Sequence, residues 1–197
     1  VTADAPGRLI LVRHGESEGN RERVFTRHPD VPLTGLGRRQ ARTAAAFIAG
    51  RFAPVRLVSS PFLRARETAA ELGDALGLAV EVEPDLHERG YGTLAGRPYD
   101  EARAAGEYDP ATFWLWRPPG GETLVDVARR AGAALDRIAA ASPAADVVVV
   151  SHGGVMMALW QHVTGEWTRA ALVPNAGLIV VAHAGGAWAG AEIVESA

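Results

Sequence analysis

The sequence predicts an α/β fold of three layers, α/β/α, with a mostly parallel central sheet, helices on both faces and a C-terminal antiparallel hairpin. Three observations predict it. Two continuously apolar runs, Leu9 to Val12 near the start and Val147 to Val150 far along the chain, read as strands covered on both faces, as in parallel sheets. Helical patterns lie between the strand signals. The tail changes character, with strand-like segments on either side of Gly185-Gly186, a two-residue hairpin signal.

In chain order, Leu9 to Val12 forms the first strand and leads directly into Arg13-His14-Gly15. Thr34 is an N-cap for a helix reaching about Phe52, with Ala41, Ala44, Ala45 and Ile48 on one face. Val55 to Val58 is a second strand, Phe62 to about Leu76 a helix, and Val80 to Val82 a third strand. Pro84 to Gly121 is the least regular region and is rich in aromatics: Tyr91, Tyr99, Tyr108, Phe113, Trp114 and Trp116. It reads as a partly helical insertion, at about 84–121, over the sheet edge that carries the histidines. A helix follows from Glu122 to about Ala141, where Leu124, Val127, Ala131, Leu135 and Ile138 keep a helical period. Val147 to Val150 is the next strand, Gly153 to about Val163 a helix, and Leu178 to Ala182 and Ala187 to Val194 the two arms of the hairpin. No repeat, low-complexity tract or linker divides the chain, so residues 1–197 are expected to form one domain.

Composition narrows the chemistry. Without cysteine there is no disulfide framework, thiol nucleophile or thiolate metal site. A net charge of −3 gives no general attraction to nucleic acid or acidic membranes, so anion binding must come from a local gathering of positive groups. All 20 basic residues are arginine, which makes any single arginine less telling. The start, Val1 to Pro6, has no basic stretch followed by a long apolar one, and no run approaches membrane-spanning length. A soluble cytoplasmic enzyme is the expectation, although Val1 leaves an upstream segment open.

His14 and His152 each follow a strand and precede a glycine and a helix start, so both are expected at the carboxyl edge of the sheet, where ligands of open α/β folds gather. Histidines at strand ends also occur as ordinary structural residues. The company of His14 argues for a phosphate site: an imidazole can attack phosphorus, a guanidinium grips phosphate oxygens with a planar fork, and a glycine admits backbone close to an anion. As a nucleophile His14 must be neutral, with one ring nitrogen free and the other N–H held by an acceptor.

Six blocks carry a wider resemblance: "RHGESEGN", "LTGLGRRQA" from Leu33, "SSPFLRARETA" from Ser59, "LHERGYGTLAG" from Leu86, "PPGGET" from Pro118 and "VVVVSHGG" from Val147. In this order the chain resembles the histidine phosphatase superfamily, also called phosphoglycerate mutase-like. The resemblance implies a phosphohistidine on His14, with Arg13, Arg64 and His152 around the phosphoryl oxygens. It implies no metal and no cofactor. Glu88 matches the family's acid, which protonates the leaving oxygen and then deprotonates water; without the block, a loop glutamate flanked by His87 and Arg89 reads equally as a solvated ion pair. Such an acid needs a raised pKa, which an apolar pocket favours and nearby arginines oppose. Asn20 and Thr26, in the loop after the first strand, are expected to touch the phosphate, and Arg89, Tyr91 and Gly153 to contact the substrate.

The function expected is hydrolysis of a small phosphorylated metabolite. A phosphoglycerate mutase is the alternative, favoured by Glu88-Arg89-Gly90-Tyr91-Gly92. Tyr99 stands against it, because it occupies the position aligned with a carboxylate-binding lysine of mutases. A mutase would have to recruit Arg89, Arg97 and Arg117 as anchors, while Tyr99, Trp114 and Trp116 suggest an apolar wall. Ala95 departs from the glutamate many phosphatases carry before Gly96. An inactive phosphate-binding module and a histidine-based metallohydrolase are further alternatives. Arg66 is expected at the surface, His28 at the pocket rim, and His162 and His183 in structural roles; Glu122-Thr123 either caps a helix or anchors a loop. A homodimer is left open.

Overall fold

The computed structural model describes residues 6–26, 28–104, 111–167, 172–184 and 186–194. Strands β1 (Gly7–Arg13), β2 (Pro54–Ser59), β3 (Val80–Val82), β4 (Asp146–Ser151), β5 (Leu178–Ala184) and β6 (Ala187–Val194) form one sheet in the order β3-β2-β4-β1-β5-β6. The first four are parallel, and β5 and β6 run antiparallel at one edge. The expected mostly parallel sheet with its C-terminal hairpin is present. Gly185 of the hairpin signal and Tyr108 lie outside the described residues; Gly186 turns the chain at φ +81°.

Alternation along the central strands divides the core into two layers. Leu9 and Leu11 of β1, with Val147 and Val149 of β4, face helices α5 (Leu124–Ala140) and α6 (Gly153–Thr164). Ile10, Val12, Val148 and Val150 face the other way, onto α2 (Gly35–Arg51) and α3 (Leu63–Leu76). Both faces of β1 and β4 are therefore dry, which explains why their sequences run apolar without a break. β3 differs: all three residues are exposed, because it is a short strand at the sheet edge, paired with β2.

The helix caps follow the sequence. The Thr34 hydroxyl accepts the Gly37 N–H at 3.1 Å, and Thr123 forms a reciprocal capping box with Asp126. Two short helices, α1 (Glu18–Glu22) and α4 (Tyr99–Ala104), were not evident as helical periods because each is too short to show one. Asn20 thus belongs to α1 rather than to a loop. Two 3₁₀ turns, Pro84–Leu86 and Gly92–Leu94, lie between β3 and α4. No helix among the described residues is long and apolar enough to cross a membrane.

Gly15 has a use that differs from the expected one. A Cβ on Gly15 would fall on the Gly37 carbonyl, and one on Gly37 would fall on the Glu16 carbonyl, so the segment after β1 crosses the first turn of α2 backbone to backbone. The Gly15 N–H is already spent on Thr68 Oγ1, at 3.1 Å. Gly15 therefore packs the loop instead of admitting an anion. Gly37→Ala is expected to lower stability by about 1–3 kcal/mol through overpacking. Gly50→Ala near the end of the same helix, where a Cβ meets nothing within 4 Å, should raise it by about 0.5–1 kcal/mol. Denaturant unfolding of both variants checks the contrast.

Candidate active site

β1 and β4 pair in a register that sets Arg13 opposite Ser151, so the histidines that follow leave the sheet together. The His14 N–H donates to the Ser151 carbonyl at 2.9 Å, and the two imidazoles meet edge to face with ring centroids 5.1 Å apart. Both rings are buried. β2 lies on the other side of β4 and delivers Ser60, whose N–H donates to the Val150 carbonyl, and then Arg64 in the first turn of α3.

Two contacts define the state of His14. Its Nδ1 lies 2.7 Å from the Gly15 carbonyl, an acceptor only, so Nδ1 carries the proton. Arg64 Nε donates to His14 Nε2 at 3.2 Å, which places the lone pair on Nε2. Burial, reinforced by the Arg64 and then the Arg13 guanidinium groups, holds the imidazole well below the usual histidine range, against the opposing pull of the Gly15 carbonyl. His152 is likewise kept neutral by burial, then by Arg64 and by His14. Its Nε2 is 2.7 Å from the Ser60 hydroxyl.

Three buried nitrogens around His14 have no hydrogen-bond partner among the described residues: Arg13 Nε, Arg64 Nη1 and His152 Nδ1. An unmet buried polar group costs about 1–3 kcal/mol, so three in one place mark a site built for an anion that would satisfy them. Arg13 is held by a 2.7 Å bond from Nη1 to the Val173 carbonyl, and its guanidinium lies against Gly153 at the start of α6. Among the described residues no side chain caps that helix start, which faces the same anion region.

Arg13, His14 and Arg64 open into a cavity of about 480 Å³, whereas His152 is fully buried and does not line it. Asn20, Thr26, Glu88, Arg89, Tyr91 and Gly153 all line it together with Arg13, His14 and Arg64. Asn20 Oδ1 is taken up by Ser17 N–H (3.2 Å) and Asn175 Nδ2 (3.1 Å), so only its amide N–H₂ is turned outward, with Tyr99 Oη 3.5 Å away. Burial pushes the Tyr91 phenol up, keeping it a neutral hydrogen-bonding group. Arg89 is buried beneath the wall, where Nε donates to the Glu122 carbonyl at 2.7 Å and Nη2 to the Trp116 carbonyl.

The Glu88 carboxylate accepts the Arg89 N–H at 2.8 Å and lies over Gly154, where an added Cβ would come within 2.8 Å of Oε1.

Several other residues weighed in the sequence lie away from the cavity. His28 is exposed and does not line the cavity. Arg97 pairs with Glu101 at 2.7 Å and Arg117 with Asp126 at 2.6 Å, so neither arginine lines the pocket. Trp114 stacks on Trp167 instead of joining the wall, whereas Tyr99 and Trp116 do line it. Arg66 is exposed, His162 bonds Asp136 at 2.9 Å, and His183 is buried against Gly7.

Asn175 and Arg23 escaped the sequence reading. Asn175 Nδ2 bonds the His14 carbonyl at 3.1 Å, and Arg23 sits at the cavity mouth in a left-handed conformation (φ 58°) and pairs with Asp100. A turn asparagine and one arginine among twenty gave no signal. Among the described residues no group of three or more histidines and carboxylates is arranged to hold a metal ion.

The sequence model of the histidine phosphatase superfamily (branch 1) matches residues 9–195. The chain belongs to this superfamily. It is 39% identical over 153 residues to a bifunctional protein of Mycobacterium tuberculosis, an alignment covering 75% of this chain but only 41% of that protein. The chain thus spans less than half the length of that relative. It is 36% identical over 167 residues to glucosyl-3-phosphoglycerate phosphatase of Mycobacterium tuberculosis, covering 77% of this chain and 73% of the relative. The solved structure of the mycobacterial glucosyl-3-phosphoglycerate phosphatase in complex with VO3 superposes with a TM-score of 0.82 at 30% identity, covering 95% of this chain and 97% of that one.

The two neutral imidazoles link the site to stability. The unfolded chain takes up protons on these histidines below about pH 6.5, whereas the folded chain resists doing so. Their contribution is therefore complete above that pH and is lost as pH falls toward the depressed folded values. Replacing His152 with Gln should flatten the fall in unfolding free energy between about pH 7 and 5, by up to about 1.4 kcal/mol per pH unit. Parallel curves for parent and variant would show that His152 titrates normally.

Proposed function

We propose that the chain is a phosphomonoester hydrolase acting on a small phosphorylated metabolite through a phosphohistidine intermediate, without a metal ion. The carrying observation is His14: a buried neutral imidazole whose Nδ1–H is anchored on the Gly15 carbonyl and whose Nε2 lone pair faces the arginines. In this reading Nε2 attacks phosphorus while the bond to the leaving oxygen breaks. Arg13, Arg64 and His152 donate hydrogen bonds to the phosphoryl oxygens, supplying charge stabilisation that many phosphatases obtain from metals. Glu88 gives its proton to the leaving oxygen, then removes one from the water that attacks the phosphohistidine and frees phosphate. Relatives named as phosphatases, one of them seen with VO3, support the same reading.

The mutase alternative loses support at the substrate end of the cavity. A mutase has to anchor a carboxylate-bearing substrate while it reorients and keep water from the phosphohistidine. Arg97 and Arg117 are paired with carboxylates away from the cavity, and Arg89 is tied to two backbone carbonyls. Phe25, Tyr91, Tyr99 and Trp116 give this end an aromatic wall instead.

Two outcomes follow for activity. A folded His14→Ala protein should retain essentially no phosphatase turnover, and parent activity should survive EDTA and be inhibited by vanadate; appreciable turnover by the variant, or a requirement for one divalent ion, contradicts the proposal. Glu88→Gln should slow phosphoryl transfer from an alkyl phosphate by roughly 10²- to 10⁴-fold. It should slow transfer from a nitrophenyl ester far less, since that leaving group scarcely needs a proton. The rates to compare are single-turnover rates of phosphoenzyme formation.

A further inference from the structure

We propose that Arg130 and Glu122 form a clamp that aims Glu88 for proton transfer, making both of them positioning residues; the proposal rests on Glu88 being the proton donor. Arg130 stands on α5, in the layer beneath the Glu88 loop, with its side chain only 15% exposed. Its guanidinium makes five hydrogen bonds. Nη1 donates to the carbonyls of Asp85 (2.7 Å) and His87 (2.8 Å), and Nη2 to the carbonyl of Glu88 itself (3.2 Å). Nε and Nη2 also reach the two carboxylate oxygens of Glu122, each at 2.9 Å.

Glu122 continues the clamp on the far side of Glu88. Its Oε2 accepts the Gly90 N–H at 2.7 Å, and its own N–H donates to the Gly90 carbonyl at 2.8 Å. Burial opposes charge on Glu122, but the Arg130 and Gly90 hydrogen bonds outweigh it and hold the carboxyl below the usual range. The two residues therefore grip the backbone before and after Glu88, leaving the catalytic carboxylate itself unencumbered by a counter-ion bond from either.

A plain structural ion pair would satisfy Arg130 with Glu122 and leave the loop to find its own conformation. Here three guanidinium bonds go to carbonyls between residues 85 and 88, so the fork of an arginine, which a lysine lacks, is matched to the loop. The Glu88 carboxylate accepts its own neighbour's N–H and occupies the space a side chain at Gly154 would take, so its aim is inherited from the backbone that the clamp holds. Proton transfer is steeply sensitive to such aim: a displacement of about 1 Å can cost on the order of 10²-fold.

The test uses the same pair of substrates as Glu88→Gln, with phosphoenzyme formation followed in single turnovers for Arg130→Met, Arg130→Lys and Glu122→Gln. Each variant should slow transfer from the alkyl phosphate by roughly 10- to 100-fold and from the nitrophenyl ester by less than about 3-fold. In a Glu88→Gln background Arg130→Met should cost almost nothing more, because the group it positions is gone. Gly154→Ala, which crowds Oε1 directly, should share the leaving-group signature. Equal losses on both substrates, or a full further loss in the Glu88→Gln background, would overturn the clamp. If Glu88→Gln itself slows both esters equally, the proton-donor reading fails instead. Should Arg130→Met not fold, the Lys and Gln variants, which keep charge or shape, decide the matter on the same comparison.

Discussion

The parallel pairing of β1 with β4 carries the site, because its register brings two histidines level at the end of two strands. Arg13 opposite Ser151 leaves His14 and His152 no choice but to emerge together, and the bond from His14 N–H to the Ser151 carbonyl locks the step. That register is itself imposed by burial on both faces: a slip of one residue would exchange Leu9 and Leu11 with Ile10 and Val12 between two differently filled layers. β2, paired to the far side of β4, then adds Ser60 and Arg64. One pairing thus supplies the nucleophile, a donor imidazole and a guanidinium at a single edge.

Around this rigid centre, the protein accepts a local energetic cost for function. Three buried nitrogens without partners among the described residues destabilise the fold, two imidazoles denied their usual proton affinity do so once the pH falls below about 6.5, and all lie around His14. The cost is tolerable because the surrounding elements are densely bonded: the Gly15 and Gly37 crossing, the Thr34 cap and the Asn175 bonds to the His14 carbonyl and Asn20. The acid side of the cavity is built differently. Glu88 lies in irregular backbone with no sheet register to place it, and the Arg130–Glu122 pair takes over that task through carbonyls and an N–H.

What the sequence revealed follows the same division. The long helices are legible because one-sided burial writes a period into them, β1 and β4 because burial on both faces leaves them apolar without a break, and His14, Arg13, Arg64 and His152 because they stand at strand ends or helix starts. Glu88 was legible only by its block, and the residues that hold it were not. Arg130 shares the polar positions of α5 with Arg129 and Arg137, and nothing local separates an arginine that grips a loop from two that meet solvent carboxylates. Gly15 was misread for a related reason: its neighbour in space is Gly37, a long-range contact that no local motif discloses. Whether Arg97 and Arg117 could serve as anchors was not legible, because their ion pairs with Glu101 and Asp126 depend on side-chain direction.

The account stands on the tautomer of His14, with Nδ1–H held by the Gly15 carbonyl and Nε2 left to react. The most direct measurement is to quench the enzyme during turnover at alkaline pH, isolate the phosphorylated peptide and determine which ring nitrogen carries phosphorus by phosphorus NMR against authentic phosphohistidine isomers. The account predicts an acid-labile phosphoryl group on Nε2 of His14. Phosphorus on Nδ1, on another residue, or on no residue while turnover continues would contradict it.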